Sequence, residues 1–367
     1  MLIDVNDNSK KNIFCYLNGK HHFELFYQII NQNKDINFFI YSPNVNLDDF
    51  IQSKLHMLNN VTLIKNNEAE IYELIYKIKA FGLMITTDSQ ATSAHKKSLQ
   101  FVNFFQKNNI KVLEIQHGLF QLGLHYCAKP DKESLKSDCL YLPSYADYVL
   151  TYYKTSLPNE IVIGYPLYTK ENIHTINGEY TLILSNLHWS VYTDSQKNLF
   201  YTSIIQLIQN NPDTLFIWKM HHGEIKQLDK IKEILKIFGE MKKNIIFTSE
   251  DNLFKYTTTS ELIKNSKNVI STVSTVLLEC EMHNKPTLVY QSSSIQCLIN
   301  KIKQKDTFRN YEELEAKYNL NLQPIKTGLL QKYNNNIVKQ TIDKYYKTPD
   351  NTNILDDIIN FSFSLMC

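Results

Sequence analysis

The sequence predicts an α/β protein of two consecutive domains, each built on a parallel sheet with helices on both faces. Its 367 residues are about twice the length of a typical domain. Short β-branched and aromatic runs alternate with longer runs that have helical apolar spacing, which is typical of strands joined by crossover helices. The alternation stops near residues 166–178 and then begins again. We therefore expect one domain over residues 1–170 and a second over residues 171–367, facing each other across a cleft.

The first domain is expected to alternate strand and helix in the order of a Rossmann-like fold. Its expected strands are residues 13–17, 36–41, 61–64, 83–86, 111–115, 148–151 and 161–163. Its expected helices are residues 23–31, 69–80 and 93–107. Strands this apolar are typical of a parallel sheet that is buried on both faces.

The second domain repeats the alternation without any repeat of the sequence itself. Its expected strands are residues 180–184, 214–219, 244–247, 268–270 and 287–290, of which the last is expected to end the sheet. Its expected helices are residues 195–210, 225–238 and 259–265, and one that begins near residue 274. From residue 311 onward the chain is expected to form helices and loops that complete this second domain.

Composition and charge narrow the function classes. Hydrophobic residues make up 43% of the chain and charged residues 21%, which is ordinary for a globular protein. The net charge is only +2 and no long basic block occurs, so a nucleic-acid partner is not expected. The six cysteines form no C-x-x-C pair, and we interpret them as free thiols of a reducing compartment. With no apolar run of about 18 residues, we expect a cytoplasmic protein, and peripheral contact with the membrane stays open.

Two loops after strands of the first domain carry polar residues that fit catalysis. Ligands of parallel sheets bind beyond the carboxyl ends of the strands, so residues directly after strands are the natural candidates. His117 follows the strand at 111–115 and precedes a glycine, and an imidazole there suits the work of a general base. Asp88 follows the strand at 83–86. Its carboxylate is expected to contact the acceptor or to orient a catalytic histidine, and capping of the next helix is the structural alternative.

Two further loops, in the second domain, carry groups that fit the donor. Ser185 and Asn186 follow its first strand and are expected to line a nucleotide site. Lys219 and His221 lie at the end of its second strand, where they are expected to contact a phosphate. His221 is preferred over its neighbour His222 because successive side chains of an extended strand point in opposite directions.

Hydroxyl side chains cluster before an apolar helix of the second domain. They are Ser271, Thr272, Ser274 and Thr275. Hydroxyls and backbone N–H groups at the start of a helix suit a phosphate, and plain helix capping is the alternative. Glu279 lies four residues after Thr275, on a similar helix face, where its carboxylate is expected to hold a ribose hydroxyl.

Several familiar motifs do not occur in this sequence. It contains no G-x-G-x-x-G, no phosphate-binding G-x-x-x-x-G-K-[ST] and no G-x-S-x-G. No D-x-D occurs either, so a metal held by paired carboxylates is not expected. We expect neither a metal nor a resident cofactor.

Four short elements, in their order along the chain, resemble those of bacterial surface-polysaccharide transferases of GT-B architecture. Gln116-His117-Gly118 is similar to their H-G element, and Gly164-Tyr165-Pro166 to their G-x-P element. Lys219-Met220-His221-His222 resembles the K-x-H-P element, with His222 in place of proline. The hydroxyl cluster, Glu279 and Asn284-Lys285-Pro286 resemble a hydroxyl motif followed by an acid and a G-K-P turn, with Asn284 in place of glycine. The families that share these elements are capsule Kdo transferases, bacterial sialyltransferases and CDP-glycerol glycerophosphotransferases.

The resemblance implies a metal-independent glycosyltransferase. Its donor would be a CMP-, UDP- or CDP-linked sugar, and its acceptor a bacterial surface glycan or glycolipid, such as capsule or lipooligosaccharide. His221 and the hydroxyl cluster would bind the donor phosphate, and His117 would act as the base near the acceptor. Two alternatives remain open at this point. One is a nucleotide-sugar 2-epimerase or hydrolase of the same build, and the other is a non-catalytic protein of polysaccharide assembly.

Overall fold

The structure is a computed structural model that describes most of the chain, in several stretches. The described residues are 10–17, 20–43, 58–64, 68–78, 80, 82–86, 96–118, 144–154, 157–166, 179–187, 192–225, 228–237, 244–254, 257–292, 306–320 and 322–346. They belong to two compact units. The first contains described residues 10–118, 144–166 and 331–346, and the second contains described residues from 179 to 330.

The first unit is built on a seven-stranded sheet in which every described pairing is parallel. Its strands are β1 (Lys11–Tyr16), β2 (Ile36–Tyr41), β3 (Val61–Ile64), β4 (Gly82–Thr86), β5 (Val112–Ile115), β6 (Tyr148–Thr151) and β7 (Glu160–Val162). They lie in the order β3-β2-β1-β4-β5-β6-β7. The order reverses between β1 and β4, as in Rossmann-like sheets.

Helices cover both faces of this sheet. Among the described residues before β5, they are α1 (Lys20–Gln32), α2 (Glu68–Lys77) and α3 (Lys96–Lys107). Alternate residues of β1 point into two different cores, as the two-residue period of a strand requires. Ile13 and Cys15 pack in a core with α1, whereas Phe14 and Tyr16 pack in a core with α2 and α3. This double burial explains why the strand is apolar throughout.

The last described helix, α9 (Asn335–Tyr345), belongs to the first unit. The sequence-based boundary placed it with the second domain, and its apolar face explains the correction. Val338 and Ile342, four residues apart, lie with Tyr346 in the same core as α1. The ring of Tyr346 covers the backbone of Gly82, at the start of β4.

Gly164 lets the chain that leads into α9 come close to β7. Its φ is +77°, and a β-carbon there would collide with the backbone of Lys332. On either side, the amide of Tyr165 donates to the carbonyl of Gln331 (3.1 Å) and the amide of Asn334 donates to the carbonyl of Ile163 (2.8 Å). Glycine is therefore required here both by its dihedral angle and by space.

The second unit is built on a six-stranded sheet whose described pairings are also all parallel. Its strands are β8 (Tyr180–Ser185), β9 (Leu215–Met220), β10 (Ile245–Phe247), β11 (Asn268–Ser271), β12 (Thr287–Tyr290) and β13 (Thr307–Phe308). They lie in the order β10-β9-β8-β11-β12-β13, which again reverses beside the first strand of the unit. The prediction of two Rossmann-like units is confirmed.

The helices of the second unit are α4 (Asp194–Asn210), α5 (Leu228–Ile237), α6 (Thr259–Asn265), α7 (Val276–Met282) and α8 (Tyr311–Tyr318). Capping boxes begin α4 and α6. In each, the hydroxyl of Thr193 or Thr258 accepts an amide three residues on, and the side chain of that residue accepts the threonine's amide. The prediction that residues 287–290 form the last strand is wrong, because β13 pairs with β12. Two buried residues are too short a run to be recognised as a strand from sequence.

One side-chain clamp occurs at the same place in both units. The amide group of Asn60, just before β3, donates to the carbonyls of Ile30, Asn33 and Ile36 at 3.0–3.3 Å. The amide group of Asn244, just before β10, donates to the carbonyls of Ile208, Asn211 and Thr214 at 3.0–3.3 Å. The two units therefore repeat a structural detail, although their sequences show no repeat.

Two further findings concern membrane and thiol chemistry. In the stretches that the structure describes, no helix has the length and apolar character needed to cross a bilayer. Cys15 in β1 and Cys280 in α7 are buried free thiols. Burial raises the pKa of Cys280 to about 12, so this thiol stays protonated and unreactive at neutral pH.

Candidate functional site

Three loops of the second unit meet at the carboxyl ends of neighbouring strands β9, β8 and β11. The amide of His221, after β9, donates to the carbonyl of Ser185 at the end of β8 (2.8 Å). The amide of Asn186 donates to the hydroxyl of Thr272, just after β11 (2.9 Å). The amide of Thr272 in turn donates to the carbonyl of Leu184 (3.1 Å). Predicted donor residues from three separate segments thus lie together, where the strand order reverses and α/β sheets bind ligands.

His221 is held with a defined tautomer. Its Nδ1 accepts the amide hydrogen of Gly223 (3.2 Å), so the neutral ring carries its proton on Nε2. An Nε2–H group is a donor suited to a phosphate oxygen. The neighbouring His222 is exposed, and the two ring centroids are 4.0 Å apart. The structure thus places one constrained and one exposed imidazole after β9.

Lys219 and Ser185 lie on opposite faces of the sheet. Lys219 is the register partner of Leu184, whereas Ser185 pairs with Met220. Paired residues of parallel strands share a face, so alternation separates the ammonium group from the Ser185 hydroxyl. On its own face, that hydroxyl accepts the indole N–H of Trp218 (2.9 Å). The Ser185 side chain therefore packs against Trp218 on one face of the sheet. Lys219 lies on the opposite face and is partly buried.

The hydroxyl cluster divides into a buried pair and a more exposed pair. Ser271 and Thr272 are fully buried, and the Ser271 hydroxyl donates to the carbonyl of Thr272 (2.7 Å). Ser274 and Thr275 are partly exposed. Thr275 occupies the N-cap position of α7 without a side-chain capping bond. Glu279 is buried within α7, at 8% exposure. The buried pair is thus part of the loop framework, and the other pair is accessible to a ligand.

Glu224 is a buried carboxylate that the sequence reasoning missed. It is fully buried, and its oxygens accept the amide of Leu187 (3.1 Å) and the hydroxyl of Tyr201 (2.9 Å). Its own amide donates to the carbonyl of His221 (2.7 Å). Burial raises the pKa of Glu224, and these hydrogen bonds partly offset that effect. Glu224 ties the loop after β8 to the loop after β9, and its position two residues beyond His222 was the available signal.

In the first unit, Gln116 fixes the loop that carries His117. Its side chain is fully buried. The amide nitrogen donates to the carbonyl of Gly118 (2.8 Å), and the amide oxygen accepts the backbone N–H of Tyr152 (2.7 Å). One side chain therefore ties the backbone just after His117 to the segment that follows β6. The sequence pattern pointed to the loop, but the role of Gln116 appears only in the structure.

The His117 ring contacts a second imidazole, that of His22. The two ring centroids are 4.6 Å apart and the planes are inclined by 53°. His22 is the third residue of α1, which follows β1, and only 3% of it is exposed. His117 itself is partly exposed after β5. His22 was not among the predicted site residues, because a histidine in the first turn of an amphipathic helix gives no functional signal by itself.

Asp88, the other predicted catalytic residue, lies outside the described residues, and its role stays a prediction. Among the described residues, no three or more histidine, cysteine, aspartate or glutamate side chains are grouped so that they could hold a metal ion.

Comparison with solved structures identifies the fold class. The chain is similar to the UDP-GlcNAc 2-epimerase of Methanocaldococcus jannaschii, solved with UDP-GlcNAc and UDP, with a TM-score of 0.59, 14% identity, and coverage of 92% of this chain and 99% of that one. It is similar to Phytolacca americana UGT2, solved with UDP-2-fluoro-glucose and pterostilbene, with a TM-score of 0.51, 8% identity, and coverage of 97% and 99%. A glycosyltransferase from Rickettsia africae gives a TM-score of 0.50, 11% identity, and coverage of 97% and 99%. No family model and no curated protein matches the sequence.

These likenesses show that both units have the Rossmann-like folds of GT-B proteins. At such low identity they establish the fold and leave the reaction open. The narrower resemblance to capsule and sialic acid transferases rests on the short sequence elements alone.

Proposed function

We propose that this protein is a glycosyltransferase that moves a sugar from a nucleotide-activated donor to a bacterial surface glycan or glycolipid. The observation that carries the proposal is the convergence of Asn186, His221 and Thr272 at the strand-order reversal of the second sheet. These contacts form a framework that carries the His221 imidazole and the partly exposed hydroxyls of Ser274 and Thr275, which are the kind of groups that bind a phosphate. The solved proteins of similar fold include glycosyltransferases and nucleotide-sugar complexes, which supports this choice.

In the proposed mechanism the second unit binds the leaving group. The Nε2–H of His221 and the hydroxyls of Ser274 and Thr275 donate to phosphate oxygens of the donor, and Lys219 supplies positive charge. Glu279 accepts a ribose hydroxyl. Donors arranged before the reaction stabilise the negative charge that develops as the sugar–phosphate bond breaks. Side chains, without a metal ion, perform this role.

The first unit supplies the base in the same mechanism. His117 takes the proton of the acceptor hydroxyl as its oxygen attacks the anomeric carbon, and the phosphate departs with the bonding electrons. An imidazole suits this step because its ordinary pKa lies near neutral pH. The prediction that Asp88 orients this histidine or the acceptor belongs to the same proposal. The donor nucleotide is expected to carry a pyrimidine, and the reaction to take place in the cytoplasm, at the inner face of the membrane.

A 2-epimerase or hydrolase of the same fold is the competing reaction. Solved 2-epimerases and solved glycosyltransferases both have a fold similar to this one. No described residue favours epimerisation over transfer. The two reactions differ in whether turnover requires an acceptor. A non-catalytic assembly protein would show no turnover under any condition.

The test is to incubate the purified protein with CMP-, UDP- and CDP-linked sugars, with and without a glycolipid extract, and to follow nucleotide release and sugar products. Transfer predicts nucleotide release that depends on the extract, unchanged by EDTA. It also predicts a fall of about 100-fold or more for His117→Gln, which removes the base. The matched control is His283→Gln, whose ring nitrogen lies 2.8 Å from the Ser260 hydroxyl, at the opposite end of α7 from the hydroxyl cluster. Epimerised or hydrolysed sugar without any acceptor would refute the transferase.

A further inference from the structure

The pair formed by His22 and His117 has a consequence for how the proposed base is oriented. The loop that carries His117 is held at its backbone by Gln116, through bonds of 2.8 Å to Gly118 and 2.7 Å from Tyr152. Those bonds restrain the backbone and leave the two side-chain torsions of His117 to be set by what the ring contacts. The ring of His22 is such a contact, at 4.6 Å between centroids.

His22 is well suited to hold another ring. It is 3% exposed and lies in the first turn of α1. The next residue, Phe23, and Phe26 pack in the core between α1 and the first sheet. A side chain fixed by a packed helix has fewer accessible rotamers than one in a loop, so its position is well defined. The separation and tilt of the two rings fall in the range of favourable aromatic contacts.

We infer that His22 is a positioning residue that holds the His117 imidazole in one orientation through ring contact. This inference rests on the proposed role of His117 as base. The ring of His22 supplies the restraint, and its nitrogens are not required for it. A base must point at the proton it removes, and misplacement by about 1 Å can cost about 100-fold in rate.

The test that does not depend on activity is NMR of the full chain carrying [13C-ε1]histidine. The His117 signal is assigned by its loss in His117→Gln. In the unaltered protein, a nuclear Overhauser effect is expected between ring protons of His22 and His117. The His117 signal should keep its position in His22→Phe, which retains a ring, and should move toward the signals of exposed histidines in His22→Ala. His283→Ala serves as control and should leave it in place.

The outcomes are decisive in both directions. An unchanged His117 signal in His22→Ala would overturn the inference. The absence of an Overhauser effect in the unaltered protein would also overturn it, and that test holds even if His22→Ala does not fold. Where transfer is observed, His22→Ala should lower kcat about tenfold or more with little change in KM, and His22→Phe should restore most of it. Equal loss of kcat in both variants would overturn the inference, because the ring nitrogens of His22 would then be needed. If no transfer is found at all, the proposed function fails and the NMR result still decides the inference.

Discussion

Glu224 shows how a single buried carboxylate organises the candidate donor site. Its two oxygens hold Leu187 and Tyr201, and its amide holds the turn that begins at His221. Because the carboxylate is removed from water, its charged form is disfavoured and its pKa is raised. The cost of this burial is offset only while its hydrogen bonds remain intact.

The raised pKa predicts a pH-dependent contribution to stability. Folded Glu224 binds its proton more tightly than the unfolded chain does, so its contribution is fully present below the usual glutamate pKa. It is lost as pH rises through the raised pKa of the folded state. The variant Glu224→Gln cannot ionise and can still accept from Leu187 and donate to Tyr201. Its free energy of unfolding, relative to the unaltered protein, should therefore rise as the pH is raised above the usual glutamate pKa and through the raised pKa of folded Glu224.

Urea unfolding followed by circular dichroism at several pH values measures this difference. Glu250→Gln is a suitable control, because that carboxylate pairs with Lys232 at a more exposed position. If the difference in unfolding free energy between Glu224→Gln and the unaltered protein is constant with pH, burial does not raise the pKa of Glu224.

At the scale of elements, the asparagine clamps before β3 and β10 join a helix end, a turn and a strand through one side chain. Each amide group faces three carbonyls, so replacing it by a carboxylate turns three attractions into repulsions. We expect Asn60→Asp and Asn244→Asp to cost about 1–3 kcal/mol or more each. The exposed Asn336→Asp, in the first turn of α9, should be neutral or slightly stabilising.

Denaturant unfolding of these three variants is the measurement. If the two units unfold in separate transitions, Asn60→Asp should lower only the first unit's midpoint and Asn244→Asp only the second's. Equal midpoints for all three variants would contradict the clamp interpretation.

Gly164 makes a second prediction at this scale. Gly164→Ala adds a β-carbon that meets the backbone of Lys332, whereas Gly328→Ala has a similar positive φ and open space around it. The left-handed conformation alone costs about 1–2 kcal/mol, so Gly328→Ala should lose about that amount and Gly164→Ala clearly more. Hydrogen exchange of peptides from residues 331–346 should accelerate in Gly164→Ala only. Similar exchange in both variants would refute the steric argument.

The elements that sequence patterns predicted are those with long apolar runs, such as β2 and α4. The strand β13 was missed, and α9, in a stretch expected to contain helices, was assigned to the wrong domain, because each has little local signal. The two residues of β13 carry no period of their own, and α9 has an apolar stripe that does not reveal which sheet it packs on. At the candidate site, His117 and His221 could be proposed from the sequence because each follows a predicted strand. Gln116, Glu224 and His22 act through contacts with residues distant in sequence, which only the folded chain brings together.

For the whole molecule, the two units share a strand-order reversal and an asparagine clamp, yet they differ in the residues at the carboxyl ends of their strands. The first unit presents two contacting imidazoles, and the second presents one constrained imidazole and two partly exposed hydroxyls. In the proposed function, the base belongs to the first unit and the phosphate site to the second. We therefore expect substitutions in the loops of the second unit to change nucleotide binding.

Nucleotide binding is therefore the measurement that tests the central claim most directly. The purified full chain would be titrated with CMP, CDP, UDP and GDP and followed by its unfolding temperature, with and without EDTA. A nucleotide at about 100 times its Kd stabilises the folded state by about 2.7 kcal/mol, which gives a clear shift. We predict stabilisation by a pyrimidine nucleotide that EDTA does not change, that His221→Ala abolishes, and that His222→Ala leaves intact. If no nucleotide raises the unfolding temperature, or if His221→Ala responds as the unaltered protein does, the donor-phosphate site has been placed wrongly.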